Sequence, residues 1–274
     1  MDTLSLDRLD VAASEWLAAV PIRHSRRAYL EQPVDAGALD AMERCVAALA
    51  PISGMVRLVV VRRLKVDIFK GVVGGYGKVK GASSALIFIG DQAASGVNQR
   101  IGYLGEALVL EATRLGLGTC WVGGFFDAGR TATQVELAKG ERIYAVSPLG
   151  LTPEDKTAGE RMMSAVARSH KRKPLEVTAP DAGPETWPVW AMEGLKAARV
   201  APSAVNRQPW RFSFQGGAVC VAPDSAIDTP KISRRLDCGI AMLHFELAAR
   251  AAGHLGIWEL GSGREVACYR PHVV

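Results

Sequence analysis

The sequence predicts an α+β fold, and three observations predict it. Apolar residues recur at helical spacing in several long segments. Short apolar runs of strand length, punctuated by glycine, lie between them. Part of the helix and strand pattern of the first half returns in the second. Leu6, Leu9, Ala13, Trp16, Leu17 and Val20 follow helical spacing and stop at Pro21, which predicts a first helix. A second helix is expected over 36–49, and 55–61 reads as a buried strand. A glycine-punctuated loop, 71–81, leads into a strand over 84–90. The long helix expected over 100–115 carries Leu104, Leu108, Ala112 and Leu115 on one face and ends at Gly116 and Gly118, as helix C-termini often do.

The chain then crosses Trp121, Gly123 and Gly124 before a strand over 143–149. Residues 178–188 are rich in proline, glycine and acid and are the expected linker. Beyond it a helix over 189–199, two short strands flanking a turn at Gly216 and Gly217, a helix over 232–252, and strands near Ile257 and 266–268 complete the prediction. In the long helices, Gly102, Leu110, Ala112, Gly116 and Trp121 match Gly239, Leu247, Ala249, Gly253 and Trp258 at a constant offset. Met42, Glu43, Ala47 and Ala48 echo Met192, Glu193, Ala197 and Ala198 in the same way. The second copy is the shorter one.

Bulk properties narrow the function classes. With 274 residues and 49% hydrophobic content the chain can bury a substantial core. The N-terminal residues lack the basic, apolar pattern of a secretory signal, and no apolar run is long enough to cross a bilayer, so a soluble cytoplasmic protein with no membrane partner is expected. Cys45, Cys120, Cys220, Cys238 and Cys268 form no Cys-X-X-Cys pair, and the five histidines show no metal-ligand spacing, so reduced thiols and no structural metal are expected. Arg168, His170, Lys171, Arg172 and Lys173 concentrate part of the net charge of +5. That run has no interleaved aromatics and fits no nucleic-acid motif, so no nucleic-acid partner is expected.

Two segments carry chemistry. Arg23, His24, Ser25, Arg26 and Arg27 place planar guanidinium forks around a hydroxyl, a set that matches phosphate geometry. Far downstream, Pro202, Ser203, Ala204, Val205, Asn206, Arg207, Gln208, Pro209 and Trp210 combine rigid backbone with amides, a hydroxyl and an indole, which suits a planar ligand with polar edges. Together they resemble the FMN-dependent nitroreductase family, with its Arg-X-Ser-X-Arg/Lys run and its Pro-Ser-X-X-Asn-X-Gln-Pro-Trp loop. In the family the loop usually follows the arginine run closely, whereas here it lies in the last third of the chain. The resemblance is therefore to a duplicated, single-chain pseudo-dimer. It implies a nitroreductase-like fold, a mixed or antiparallel central sheet flanked by helices, with residues 1–175 as the first copy and 176–274 as a shortened second copy. It also implies a monomer holding one FMN, because the loop position of the first copy reads Pro51, Ile52, Ser53, Gly54 and Met55, and the second copy has no arginine run.

By the same resemblance Arg23, His24, Ser25 and Arg27 hold the flavin phosphate and ribityl chain, with Arg172 and His170 or Lys171 supplying further positive charge. Lys78 corresponds to the family lysine at the flavin N1 and O2 edge and is the expected catalytic cation. As residues alone it reads equally well as an exposed loop lysine. Trp121, Val122, Gly123 and Gly124 pass the N5 edge, while Pro202, Ser203, Ala204 and Asn206 cover the ring from the second copy. Gln208 and Trp210 brace the loop. The implied activity is hydride transfer from NADH or NADPH through FMN to a nitroaromatic, quinone or similar small-molecule acceptor. The alternative is a flavin-binding or degenerate relative without turnover.

Overall fold

The computed structural model describes residues 2–7, 9–69, 79–124, 126–166, 168, 170–183, 185–225, 227–228 and 232–272. In the first half, β1 (Thr3–Leu4) and α1 (Ala13–Ala19) precede α2 (Ala36–Leu49), β2 (Val56–Val61), β3 (Ser84–Asp91), α3 (Val97–Arg114), β4 (Gly118–Thr119), α4 (Ala128–Ala132), β5 (Glu141–Gly150) and α5 (Ala158–Val166). A short helix, α6 (Leu175–Thr178), leads to α7 (Val189–Arg199), β6 (Trp210–Gln215), β7 (Ala218–Pro223), α8 (Arg234–Ala251), β8 (Gly256–Leu260) and β9 (Ala267–Pro271).

The α+β prediction holds, with the strands divided between two antiparallel sheets. One runs β2-β3-β5-β4, the other β1-β8-β9-β7-β6. Leaving β1 aside, the two orders match: in each half a hairpin-like pair is followed in space by the last strand and then by the one before it. The β6–β7 hairpin turns at Gly216 and Gly217, both at positive φ, the backbone a tight hairpin requires and glycine adopts without cost.

The core runs through α3 and α8, which are 18 residues each and buried along nearly their whole length. A helix buried on nearly every side has to sit between other layers. α3 packs on the four-stranded sheet, α8 on the five-stranded one, and the two helices pack on each other. Their contact depends on two glycines. A Cβ on Gly102 would lie 2.0 Å from the Leu236 carbonyl oxygen, and one on Gly239 would lie 2.0 Å from that of Gln99. These contacts are mirror partners at the offset seen in the sequence, as are the bounds of the two helices.

Three expectations change. The first helix begins at Ala13 rather than near Leu6, because Thr3 and Leu4 pair with β8 at Glu259 and Trp258, and a strand pairing outcompetes the helical pattern there. The segment 178–188 is packed: Thr178, Ala179 and Trp187 are buried, so its proline and glycine content shapes a turn rather than a free linker. Cys220 and Cys268 form a disulfide, contrary to the reduced thiols expected. They face each other across β7 and β9, a register that spacing along the chain could not reveal. Cys45, Cys120 and Cys238 are free and buried. Most of the loop 71–81 lies outside the described residues. Among those described, no helix is long and apolar enough to cross a membrane.

Candidate functional site

The arginine run leaves α1 at Pro21 as extended chain. Ser25 bridges Thr119 in parallel fashion, Ala28 bridges Lys80, and Arg26 N–H donates to the Thr119 carbonyl at 2.8 Å. Arg26, set between its neighbours, turns back to the protein, where its guanidinium reaches Glu160 and the carbonyls of Pro153 and Asp155. Arg23, His24, Ser25 and Arg27 instead line a cavity of about 440 Å³, within the usual size range of small-molecule sites. Trp121, Val122 and Gly123 form another part of the wall, as do His170 and Arg172, and the loop from the second half adds Pro202, Ser203, Ala204, Val205 and Asn206.

The two separated motifs thus meet across one cleft. Of the other expected residues, Gly124 does not line the cavity, and Lys78 lies outside the described residues. Gln208 and Trp210 are buried, in agreement with a bracing role.

The loop 203–208 is held in a costly backbone. Val205, Asn206 and Gln208 have φ of 50°, 56° and 46°, a region that non-glycine residues, and β-branched ones above all, rarely occupy. The neighbouring hydrogen bonds explain how it persists. Ala204 N–H donates to Asp237 Oδ1 at 3.1 Å, Arg207 Nε donates to Asp237 Oδ2 at 2.6 Å, and Gln208 N–H donates to Ser203 Oγ at 2.9 Å. The Asn206 amide is spent inside the protein: Nδ2 donates to the Arg168 and Lys171 carbonyls, and Oδ1 accepts from Arg172 at 3.1 Å. Asn206 therefore holds Arg172 while itself lining the cavity.

Several residues that the sequence did not flag belong to this site. Glu160, at the start of α5, is buried and its Oε1 accepts Arg27 N–H at 2.7 Å and Ala28 N–H at 3.3 Å, while Oε2 accepts from the N–H and hydroxyl of Thr157. Burial alone would raise this carboxyl, but the N–H donors of Arg27, Thr157 and Ala28, with the Arg26 charge, hold it down at about 2. Lys156 adds a cation to the wall. Asp237, in the first turn of α8, is pushed up by burial to about 6 despite Arg207 beside it. Beneath the wall, Glu106 accepts from Trp121 Nε1 at 2.7 Å and faces His244 Nε2 at 2.9 Å.

The cavity is crowded with positive charge. The His24 pKa is lowered by burial and then by Lys156, Arg23, Arg26 and Arg172; burial and the nearby Arg23 and Arg199 also lower that of Arg172. Arg23 is buried, and its Nε has no hydrogen-bond partner among the described residues. Buried donors are almost always satisfied. The arrangement is that of a receptor for an anion.

The model of the family described as "Putative TM nitroreductase" matches residues 15–249. The chain belongs to the nitroreductase family. A solved structure from Thermotoga maritima, of a protein described as a "putative nitroreductase", superposes on this nitroreductase with a TM-score of 0.57 at 20% identity, covering 93% of this chain and 92% of that one, which shows the shared fold. A nitroreductase family protein from Clostridium difficile 630 matches at 18% identity over 63% of this chain and 98% of its own, with a TM-score of 0.43. An FMN-dependent nitroreductase from Clostridium difficile R20291 matches at 19% identity over 51% of this chain and 89% of its own, with a TM-score of 0.41. Among curated proteins nothing matches.

Proposed function

We propose that this nitroreductase holds FMN in the cavity between its two halves and works as an oxidoreductase, taking hydride from NADH or NADPH and passing electrons to a nitroaromatic, quinone or similar acceptor. The observation that carries the reading is the convergence of the arginine run and the 202–206 loop, distant in sequence, on one cationic cavity. The residues present fit the cofactor. Arg23 has a buried donor with no hydrogen-bond partner among the described residues, burial and the surrounding cations depress His24, and the cavity has room for an organic ligand.

Arg23, Arg27 and Arg172, with Lys156 and His24, would hold the phosphate by charge-assisted hydrogen bonds. Glu160 fixes the backbone of that run, so the arginines need not be ordered when the ligand arrives. Trp121, Val122 and Gly123 would flank the ring system, and Pro202, Ser203 and Ala204 would cover it, with Asn206 steadying Arg172. When bound, the flavin supplies two-electron redox chemistry that no side chain of this site provides. The protein contributes orientation, exclusion of water and fixed positive charge.

The same reading treats residues 1–175 and 176–274 as two fused copies of one unit, acting as a monomer with one FMN. The matching strand orders and the mirrored contacts of Gly102 and Gly239 support it. The test is to reconstitute the purified protein with FMN and add NADH or NADPH without oxygen. Loss of the flavin absorbance is expected with one of the two. Uptake of FMN without bleaching would leave a binding module, and failure to take up FMN would refute the proposal.

A further inference from the structure

We infer that Glu106 is a positioning residue of the cofactor cavity, fixing Trp121 and Arg23 in its wall from the buried seam between α3 and α8. The inference rests on the FMN reading above, and the molecule contains its own control.

Glu106 is fully buried and does not line the cavity, but it touches two residues that do. Trp121 Nε1 donates to Oε2 at 2.7 Å, and Arg23 Nε lies 3.7 Å from Oε1 without making a hydrogen bond. On the other side, Oε1 faces His244 Nε2 at 2.9 Å, while His244 Nδ1 faces the Ala197 carbonyl at 3.3 Å. Both ring nitrogens therefore face acceptors, and His244 holds Glu106 from the side away from the cavity. Arg23 is close enough to Glu106 to pair with it and be oriented by it.

The control is the other half. At the offset that relates the two long helices, Trp121 corresponds to Trp258 and Glu106 to Leu243. Gly105, where a Cβ would sit 2.4 Å from the Trp121 ring, corresponds to Met242. The indole N–H of Trp258 is buried and has no hydrogen-bond partner among the described residues. Both tryptophans are thus kept as packing groups, but an acid and a glycine seat the indole only in the half whose tryptophan faces the cavity. The corresponding position of the other half holds Leu243, so the repeated helix does not by itself call for an acid there.

The experiment compares wild type with Glu106→Leu, which copies the other half, and Glu106→Gln, which keeps the shape and an acceptor for Trp121 but removes the charge. In indole N–H NMR spectra of the protein without FMN, Glu106→Leu is expected to move the Trp121 resonance and leave that of Trp258 in place. FMN affinity, read by quenching of flavin fluorescence, is expected to fall ten- to a hundredfold or so in Glu106→Leu, the range for removing the partner of a buried charged hydrogen bond, and less in Glu106→Gln. If Glu106→Leu does not fold, Glu106→Gln carries the test through FMN affinity. Wild type that binds FMN while the folded variants bind it equally well overturns this inference alone. A Trp121 resonance unmoved in Glu106→Leu also overturns it. Wild type that takes up no FMN overturns the functional reading and this inference with it.

Discussion

Replacing Glu160 with glutamine should destabilise the protein by roughly 3 kcal/mol at neutral pH, and the loss should fade in acid. The magnitude follows from the carboxyl's displacement from its ordinary 4.5 to about 2, at about 1.4 kcal/mol for each factor of ten in proton affinity. The group is buried, so solvent does little to screen it. Glutamine keeps the volume and can still accept from some of the N–H groups of Arg27, Ala28 and Thr157, but its neutral oxygen cannot hold them as a carboxylate does. Because the folded protein depresses this carboxyl, its contribution is complete above about pH 4.5 and is lost as the pH falls toward 2. Urea unfolding of wild type and Glu160→Gln at pH 7 and pH 3 measures the difference directly. A gap of about 3 kcal/mol at pH 7 should shrink to half or less at pH 3. A gap that does not change with pH would refute the reasoning, since glutamine would then be losing shape rather than charge.

Three further outcomes are expected. Inorganic phosphate or FMN should raise the His24 pKa in an NMR titration, because burial and the charges of Lys156, Arg23, Arg26 and Arg172 lower it and an anion among those cations removes the repulsive part. Asp237 is raised by burial from 3.8 to about 6, so the stability of wild type should fall as the pH rises through that window, while Asp237→Asn should lack this slope in unfolding experiments and bind FMN more weakly through a loosened 204–207 loop. Gly102→Ala and Gly239→Ala should each lower stability by about 1–3 kcal/mol or more, because the added methyl meets backbone that has little room to retreat. Gly159→Ala, where nothing lies within 4 Å, is the control expected to leave thermal unfolding unchanged or slightly improved.

The sequence displayed the parts of the fold that depend on local periodicity. The helices over 36–49 and 189–199 appear at their expected bounds, because an amphipathic pattern and a clear start or stop coincide there. Residues 6–12 misled because their spacing fits a helix, while pairing of Thr3 and Leu4 with a strand from the far end of the chain decides the conformation just before them. The two motifs that meet at the cavity were legible since each is contiguous and chemically dense. What supports them was not. Glu160, Asp237, Glu106 and His244 are single charged or polar residues on otherwise ordinary helices, and their meaning comes only from the backbone donors and side chains that folding brings to them. The Cys220–Cys268 disulfide was hidden for the same reason, being a matter of register across β7 and β9.

The two residues of β1 have an effect out of proportion to their length. They lie along β8, and the Leu260 N–H at the end of that strand donates to the Asp2 carbonyl, so the outer rim of the five-stranded sheet offers few open peptide groups to a stranger. The opposite rim, β6, presents Arg211, Ser213 and Gln215 at alternate positions, which discourages chain-to-chain zippering by charge and polarity instead. Trimming residues 2–7 would expose a bare apolar margin at Ile257 and Trp258, and the first symptom should be loss of colloidal solubility.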